Sequence, residues 1–196
     1  MEPVARFCSK NEGKLRELRA ALPGWEIELL DVDEYPPETG ATYYENARAK
    51  AEFGRTIAPS LWVLGEDSGI EVAGLRGRPG IESARFGGDD PVGRLLAELH
   101  DVEGDGRRAR YVCELVALAP DGEGHRGTGV LEGRIAHQPH GSEGFGYDPI
   151  FVPGGEERTV AELGNDWKRT NSHRARAAAA LKAASSPLPL APPRDA

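Results

Sequence analysis

Two rhythms of apolar residues divide the chain. Short continuous or alternating runs at residues 3–8, 25–30, 61–64, 70–72 and 150–152 read as strands. Two longer runs, residues 109–119 and 124–136, flank Pro120-Asp121-Gly122 as the arms of a hairpin. Elsewhere the period changes. Leu15, Leu18 and Leu22 recur at helical spacing behind Asn11, a residue suited to capping, and predict a helix over residues 13–22. Ala47, Ala51 and neighbouring small residues give residues 42–55 one narrow helical face, Pro91 suits the first turn of a short helix over residues 91–99, and an Ala-rich helix runs over residues 172–184.

Polar and Gly-rich stretches separate these elements. Residues 31–40 are acidic and contain prolines, hence a loop; residues 65–69 read as a Gly-rich turn, residues 74–80 as a loop, and residues 141–147 as a Gly-rich aromatic stretch. Helices intermixed with strands and a long antiparallel hairpin predict an α/β domain with a mixed twisted sheet and flanking helices, one unit over residues 1–185. The Pro-rich residues 186–196 are expected to form a disordered tail.

Length and charge narrow the function. A chain of 196 residues can bury a sizeable core, and a formal charge of -8 argues against a binder of nucleic acid or anionic membrane, which needs a broad basic face. Cys8 and Cys113 lie in apolar runs without metal-ligand spacing and read as buried free thiols of a reducing compartment. The first residues lack the apolar core of a signal peptide and no run approaches membrane-spanning length, so a soluble cytoplasmic protein is expected.

Candidate chemistry starts at Gly65-Glu66-Asp67-Ser68-Gly69. Adjacent carboxylates beside an apolar strand are costly unless a cation or donors answer them. Nineteen arginines against five lysines make each retained lysine informative, because Lys is a compact point charge suited to phosphate oxygens. Lys10 and Lys14 flank Asn11 after the first strand, Lys50 follows Glu38, and Lys168 precedes Ser172-His173-Arg174. The loop Ser9-Lys10-Asn11-Glu12-Gly13-Lys14 would aim backbone N–H groups and a helix N-terminus at an anion, although it is no Walker loop. Glu38 and Asp67 are the candidate metal ligands, because Mg2+ takes one or two carboxylates, keeps several waters and completes its shell with substrate phosphates; Asp67 could also orient or deprotonate a water. In Gly144-Phe145-Gly146-Tyr147-Asp148-Pro149 the glycines leave the Phe145 ring free to stack on a base, and Asp148 could accept from a base N–H. His173 and Arg174 could donate to a base carbonyl. Plainer readings stand beside these: Asn11 as a helix cap, Glu38 as a solvated loop acid, and Ser172 as a cap followed by two solvated charges.

Taken jointly, the chain resembles the inosine triphosphate pyrophosphatase family, the noncanonical purine nucleoside triphosphate pyrophosphatases. The matching segments are Ser9 through Lys14, Glu38-Thr39-Gly40, Glu45-Asn46-Ala47, Asp67-Ser68-Gly69, Gly80-Ile81-Glu82-Ser83-Ala84-Arg85, Gly144-Phe145-Gly146-Tyr147-Asp148-Pro149 and Ser172-His173-Arg174. The resemblance implies an elongated, two-lobed α/β fold with a central cleft, a homodimer, and Mg2+-dependent hydrolysis of deoxyinosine, inosine and xanthosine triphosphates to the monophosphate and pyrophosphate. Carried over, it implies Asp67 as general base and metal ligand and Glu38 as the second metal acid. Ser9, Lys10, Asn11, Glu12, Gly13, Lys14 and Lys50 would hold the triphosphate, Phe145 would stack on the base, Asp148, Lys168, His173 and Arg174 would line the base pocket, and Ser68, Gly146 and Tyr147 would also bind substrate. Two departures stand out: Ser9-Lys10 replaces the usual Thr-Gly, and Glu66 replaces an Asp before the catalytic acid. A purine-nucleotide-binding module without catalysis and a pyrophosphatase for modified pyrimidine nucleotides remain as rival readings.

Overall fold

The computed structural model describes residues 3–184, and the expected tail at residues 186–196 lies outside them. Six strands form one sheet in the order β2-β1-β3-β4-β5-β6. β1 (Val4–Cys8) lies parallel to both β2 (Glu26–Leu29) and β3 (Trp62–Val72). β3, β4 (Arg108–Leu118), β5 (Gly124–Ile135) and the short β6 (Phe151–Pro153) continue antiparallel. The parallel strands are linked by helices, as parallel neighbours require: α1 (Glu12–Ala21) after β1 and α2 (Tyr43–Ile57) after β2. α3 (Pro91–Glu98) follows β3, and α4 (Val160–Asn171) and α5 (His173–Ala184) close the described chain.

One sheet face carries two apolar clusters. The first gathers Phe7, Leu64 and Leu115 from strands under Leu15 and Leu18 of α1 and Ala177 and Leu181 of α5. The second joins Ile70, Tyr111 and Leu131 to Leu95 and Leu99, with Tyr147 and Phe151. Along β3 these clusters are separated by Glu66 and Ser68, so the mixed sheet carries two packed regions with polar residues between them. α2 covers the opposite face, where Ala47 and Ala51 meet Val116.

Two expectations are corrected. Residues 65–69 are no turn; they lie inside the eleven-residue strand β3. Gly65 is there because α2 crosses so closely that a Cβ would stand 2.0 Å from the Ala47 carbonyl oxygen, and a Cβ at Gly69 would stand 2.2 Å from the Gly80 carbonyl oxygen. Helix α4 was not foreseen. It is interrupted by Gly164, at φ 85° and ψ 177°, which blurs its periodicity, yet Thr159 and Glu162 form a reciprocal capping box that marks its start.

Candidate active site

The site is built on an unfinished edge. β1 stops at Cys8, opposite Gly65, and β3 runs on. From Glu66 to Ile70 that side of β3 is met by side chains: Lys50 Nζ donates to the Glu66 carbonyl at 3.0 Å, and the Ile70 N–H donates to Ser83 Oγ at 2.9 Å. Alternation along a strand sends successive side chains to opposite faces. Glu66 and Ser68 therefore face α1 and α5, while Asp67 faces α2, so Glu66 and Asp67 are not a pair on one face.

On the α2 face, Asp67 Oδ2 accepts from Asn46 Nδ2 at 2.9 Å and Asp67 Oδ1 lies 3.7 Å from Lys50 Nζ. Lys50 also pairs with Glu38, whose other oxygen accepts from Arg85 Nη1 at 3.0 Å. Asn46 Oδ1 takes the Gly40 N–H at 2.9 Å, tying the loop that carries Glu38 to the strand that carries Asp67. Glu38 and Asp67, distant in sequence, thus converge on one ammonium. Burial pushes the Asp67 carboxyl above its ordinary value against the pull of Lys50 and Asn46. At Glu38 burial acts in the same sense, but Lys50 and Arg85 outweigh it and hold that carboxyl below the usual range.

These residues fit Mg2+. Two hard oxygen donors already enclose a positive charge, and Mg2+ takes one or two carboxylates and leaves its other positions to water and phosphate. Among the described residues no group of three or more His, Cys, Asp and Glu side chains is arranged for an ion, so any metal here would rest on Glu38 and Asp67 with ligands from the substrate.

On the other face runs a largely buried chain of alternating charge. Lys14 Nζ meets Glu66 Oε2 at 2.8 Å, and Arg174 Nη2 meets Glu66 Oε1 at 2.9 Å and Ser68 Oγ at 3.1 Å. Arg174 Nη1 reaches Glu17 at 2.6 Å, Lys168 Nζ reaches Glu17 at 2.5 Å, and Lys168 continues to Asp148 at 2.6 Å. Burial alone would push the Glu66 carboxyl up; Arg174 and Lys14 outweigh it and hold it well below the carboxylate range. Asp148 further accepts from the Phe145 N–H at 2.8 Å and the Tyr111 hydroxyl at 3.3 Å.

Above this chain lies a cavity of about 350 Å³ lined by Ser68 and Ile70 of β3 and by Ser83, Phe145, Tyr147 and His173, among others. Lys168 Nζ stands 4.5 Å from the centroid of the Phe145 ring, within cation–π range. His173 stacks on Tyr111 at 4.5 Å and an interplanar angle of 8°, and its Nδ1 is buried with no hydrogen-bond partner among the described residues. Burial holds that imidazole well below its ordinary pKa, so it is neutral at neutral pH.

Comparison with known proteins decides the family at this point. The Ham1 family model matches residues 5–184. The chain belongs to the Ham1 family. It is 45% identical over 178 residues to a dITP/XTP pyrophosphatase of Deinococcus deserti, covering 89% of this chain and 85% of that protein. It is 40% identical over 182 residues to one of Bdellovibrio bacteriovorus, covering 87% and 92%. Among solved structures, the Ham1 protein of Staphylococcus aureus superposes with a TM-score of 0.79 at 34% identity, covering 92% of this chain and 96% of that one.

Within this Ham1 fold most residues singled out from sequence gather around the open edge of β3, with some differences in detail. Asn11 does cap α1, its Oδ1 accepting the Lys14 N–H at 3.0 Å, and Ser9 Oγ accepts the Asn11 N–H at 3.0 Å. Glu12 and Gly13 open α1, and Gly13 lets the Phe145 ring come close: a Cβ there would lie 2.8 Å from it. Lys10 is exposed and donates to the Asp33 carbonyl, so it braces the acidic loop. The Arg174 Nη1 and Nη2 groups donate to Glu17, Glu66 and Ser68 while its Nε has no partner among the described residues, and both Asp148 oxygens already accept protein donors. Tyr147 is buried, its hydroxyl donating to the Ser83 carbonyl at 3.0 Å, and Gly146 borders the cavity. Sequence reasoning gave no role to Asn46, Glu17 or Arg85. Glu17 had a signal, its position one helical turn beyond Lys14 on α1.

Proposed function

We propose that this protein hydrolyses noncanonical purine nucleoside triphosphates, deoxyinosine, inosine and xanthosine triphosphates, to the monophosphate and pyrophosphate, with Mg2+ held by Glu38 and Asp67. The observation that carries the reading is the convergence of those two carboxylates on one ammonium at the open edge of β3, next to the base-sized cavity. Membership of the Ham1 family and relatives named dITP/XTP pyrophosphatase support it.

In this reading the base enters the cavity against Phe145. Of the three N–H donors of Lys168, two are engaged by Glu17 and Asp148, leaving one for a purine 6-oxo group; neutral His173 offers a ring nitrogen beside it. Adenine presents an amino group at that position and would leave those donors unpaired, the mismatch that enzymes reject most strongly. Lys14 and Lys50, which meet Glu66 from opposite sides, flank the path of the triphosphate, with the N-terminus of α1 alongside. Asp67 accepts a proton from water as the water oxygen bonds to the α-phosphorus. The bond from that phosphorus to the bridging oxygen breaks, and its electron pair leaves with pyrophosphate. A bound divalent cation would neutralise phosphate charge and acidify a coordinated water. The working unit in this proposal is a cytoplasmic homodimer; among the described residues no helix is long and apolar enough to cross a membrane.

The test is product analysis with deoxyinosine triphosphate and Mg2+. Pyrophosphate, not orthophosphate, is expected, and Asp67→Asn should lose at least about a hundredfold in kcat, the scale of general-base catalysis, while keeping its circular dichroism spectrum. Equal turnover of uridine or adenosine triphosphates would overturn the base assignment, and near-normal rates in Asp67→Asn would remove Asp67 from its role.

A further inference from the structure

The segment Gly80-Ile81-Glu82-Ser83-Ala84-Arg85 both walls the cavity and carries the guanidinium that meets Glu38. Its backbone is fixed where it passes the base: Ser83 Oγ accepts the Ile70 N–H at 2.9 Å and donates to the Gly80 carbonyl at 2.5 Å, and the Ser83 carbonyl accepts the Tyr147 hydroxyl at 3.0 Å. Ser83 and Ala84 border the cavity, and Arg85, next in line, reaches the acidic end of the site. The segment therefore runs beside β3 from the base cavity to Glu38, as the second wall of one cleft.

At that end Arg85 is held lightly. Its side chain is 50% exposed, with Nη1 3.0 Å from Glu38 Oε2 and Nη2 3.7 Å from Glu82 Oε1. Lys50 competes for the same Glu38 carboxylate and is far more buried, its side chain 13% exposed. If Glu38 held a divalent cation, as in the proposed function on which this inference rests, Arg85 would lose much of its hold on that carboxylate. A guanidinium offers a planar fork matched to two phosphate oxygens, which the lysines cannot supply.

We propose that Arg85 is a substrate-binding residue for the pyrophosphate end of the nucleotide: its guanidinium exchanges Glu38 for oxygens of the β- and γ-phosphates and holds the leaving group as the bond to the α-phosphorus breaks. Hydrolysis passes the electron pair of that bond to the departing pyrophosphate, and the fork takes up the charge that appears there. No proton moves to or from Arg85.

The experiment compares wild type, Arg85→Gln and Arg85→Lys by titration calorimetry with inorganic pyrophosphate and, separately, with inosine monophosphate, both in the presence of Mg2+. In Arg85→Gln pyrophosphate binding should weaken by about tenfold or more, the scale of a lost charge-assisted contact, with inosine monophosphate binding unchanged. Arg85→Lys should recover part of the loss. If Arg85 serves only to position Glu38, the variant will need more Mg2+ yet bind pyrophosphate as wild type does once Mg2+ saturates, and the inference falls. Equal weakening of both ligands also overturns it. Wild-type protein that releases no pyrophosphate from deoxyinosine triphosphate would instead defeat the proposed function itself, so the two failures are distinguishable.

Discussion

Asn46 donates to Asp67 and accepts from the Gly40 backbone, so one amide fixes both the proposed base and the loop that presents Glu38. Asn46→Ala should lower kcat by about 10- to 100-fold, as removal of such supporting partners commonly does, with smaller change in KM; steady-state kinetics with deoxyinosine triphosphate checks it. His173 makes a pH prediction. Its folded pKa is pushed well below the ordinary value of 6.5 by burial, so below that pH the unfolded chain binds a proton that the folded chain refuses. The stability held above pH 6.5 should decline as pH falls from 6.5 toward the folded pKa, and His173→Asn should remove that part of the slope in urea titrations at pH 7.5 and pH 5.5. Of these residues, sequence exposed Asp67 because a carboxylate beside an apolar run demands a partner, and His173 as a donor at a helix start that could meet a base carbonyl. It gave Asn46 no role, since an amide inside a helix carries no such demand.

At the scale of elements, contacts between backbones decide how the sheet is dressed. α5 lies so close over β5 that a Cβ at Gly129 would stand 1.9 Å from the His173 carbonyl oxygen, and one at Gly127 would stand 2.0 Å from the Ala177 carbonyl oxygen. Gly129→Ala should therefore destabilise the fold by about 3 kcal/mol or more, read from the urea midpoint, because neither backbone can yield as a side chain would. The same close approach explains why β3 was misread. Glycine at positions 65 and 69 carries the composition of a turn, but here it answers helix α2 on one side of the strand and the Gly80 segment further along. Helices α1 and α2 were legible because their apolar or small residues repeat on one face, and α5 because it is rich in alanine. So was the β4–β5 hairpin, whose long runs are joined by a turn. The start of α4 was written in Thr159 and Glu162, and its kink at Gly164 hid the rest.

At the scale of the molecule, two apolar clusters share one sheet face with a largely buried line of ions between them, Asp148, Lys168, Glu17, Arg174, Glu66 and Lys14. Such a line contributes little net stability, but loss of one member strands a charge, at a cost of about 3–5 kcal/mol. A ligand that spans the cavity and the acidic end touches both halves. A non-hydrolysable inosine triphosphate analogue with Mg2+, at a hundred times its Kd, should stabilise the fold by about 2.7 kcal/mol in thermal melts, and the adenosine counterpart at equal concentration by far less. No difference between the two would count against selection at the base cavity. The short first strand has a consequence of its own. Extending β1 by a few residues past Cys8 would replace the Lys50 and Ser83 side chains as partners of its neighbour's main chain and remove a potential point for unwanted strand pairing. It would also zip shut the slot that the proposed function gives to the phosphates, so in that reading a gap in the hydrogen-bonded ladder is the condition for having a catalytic groove.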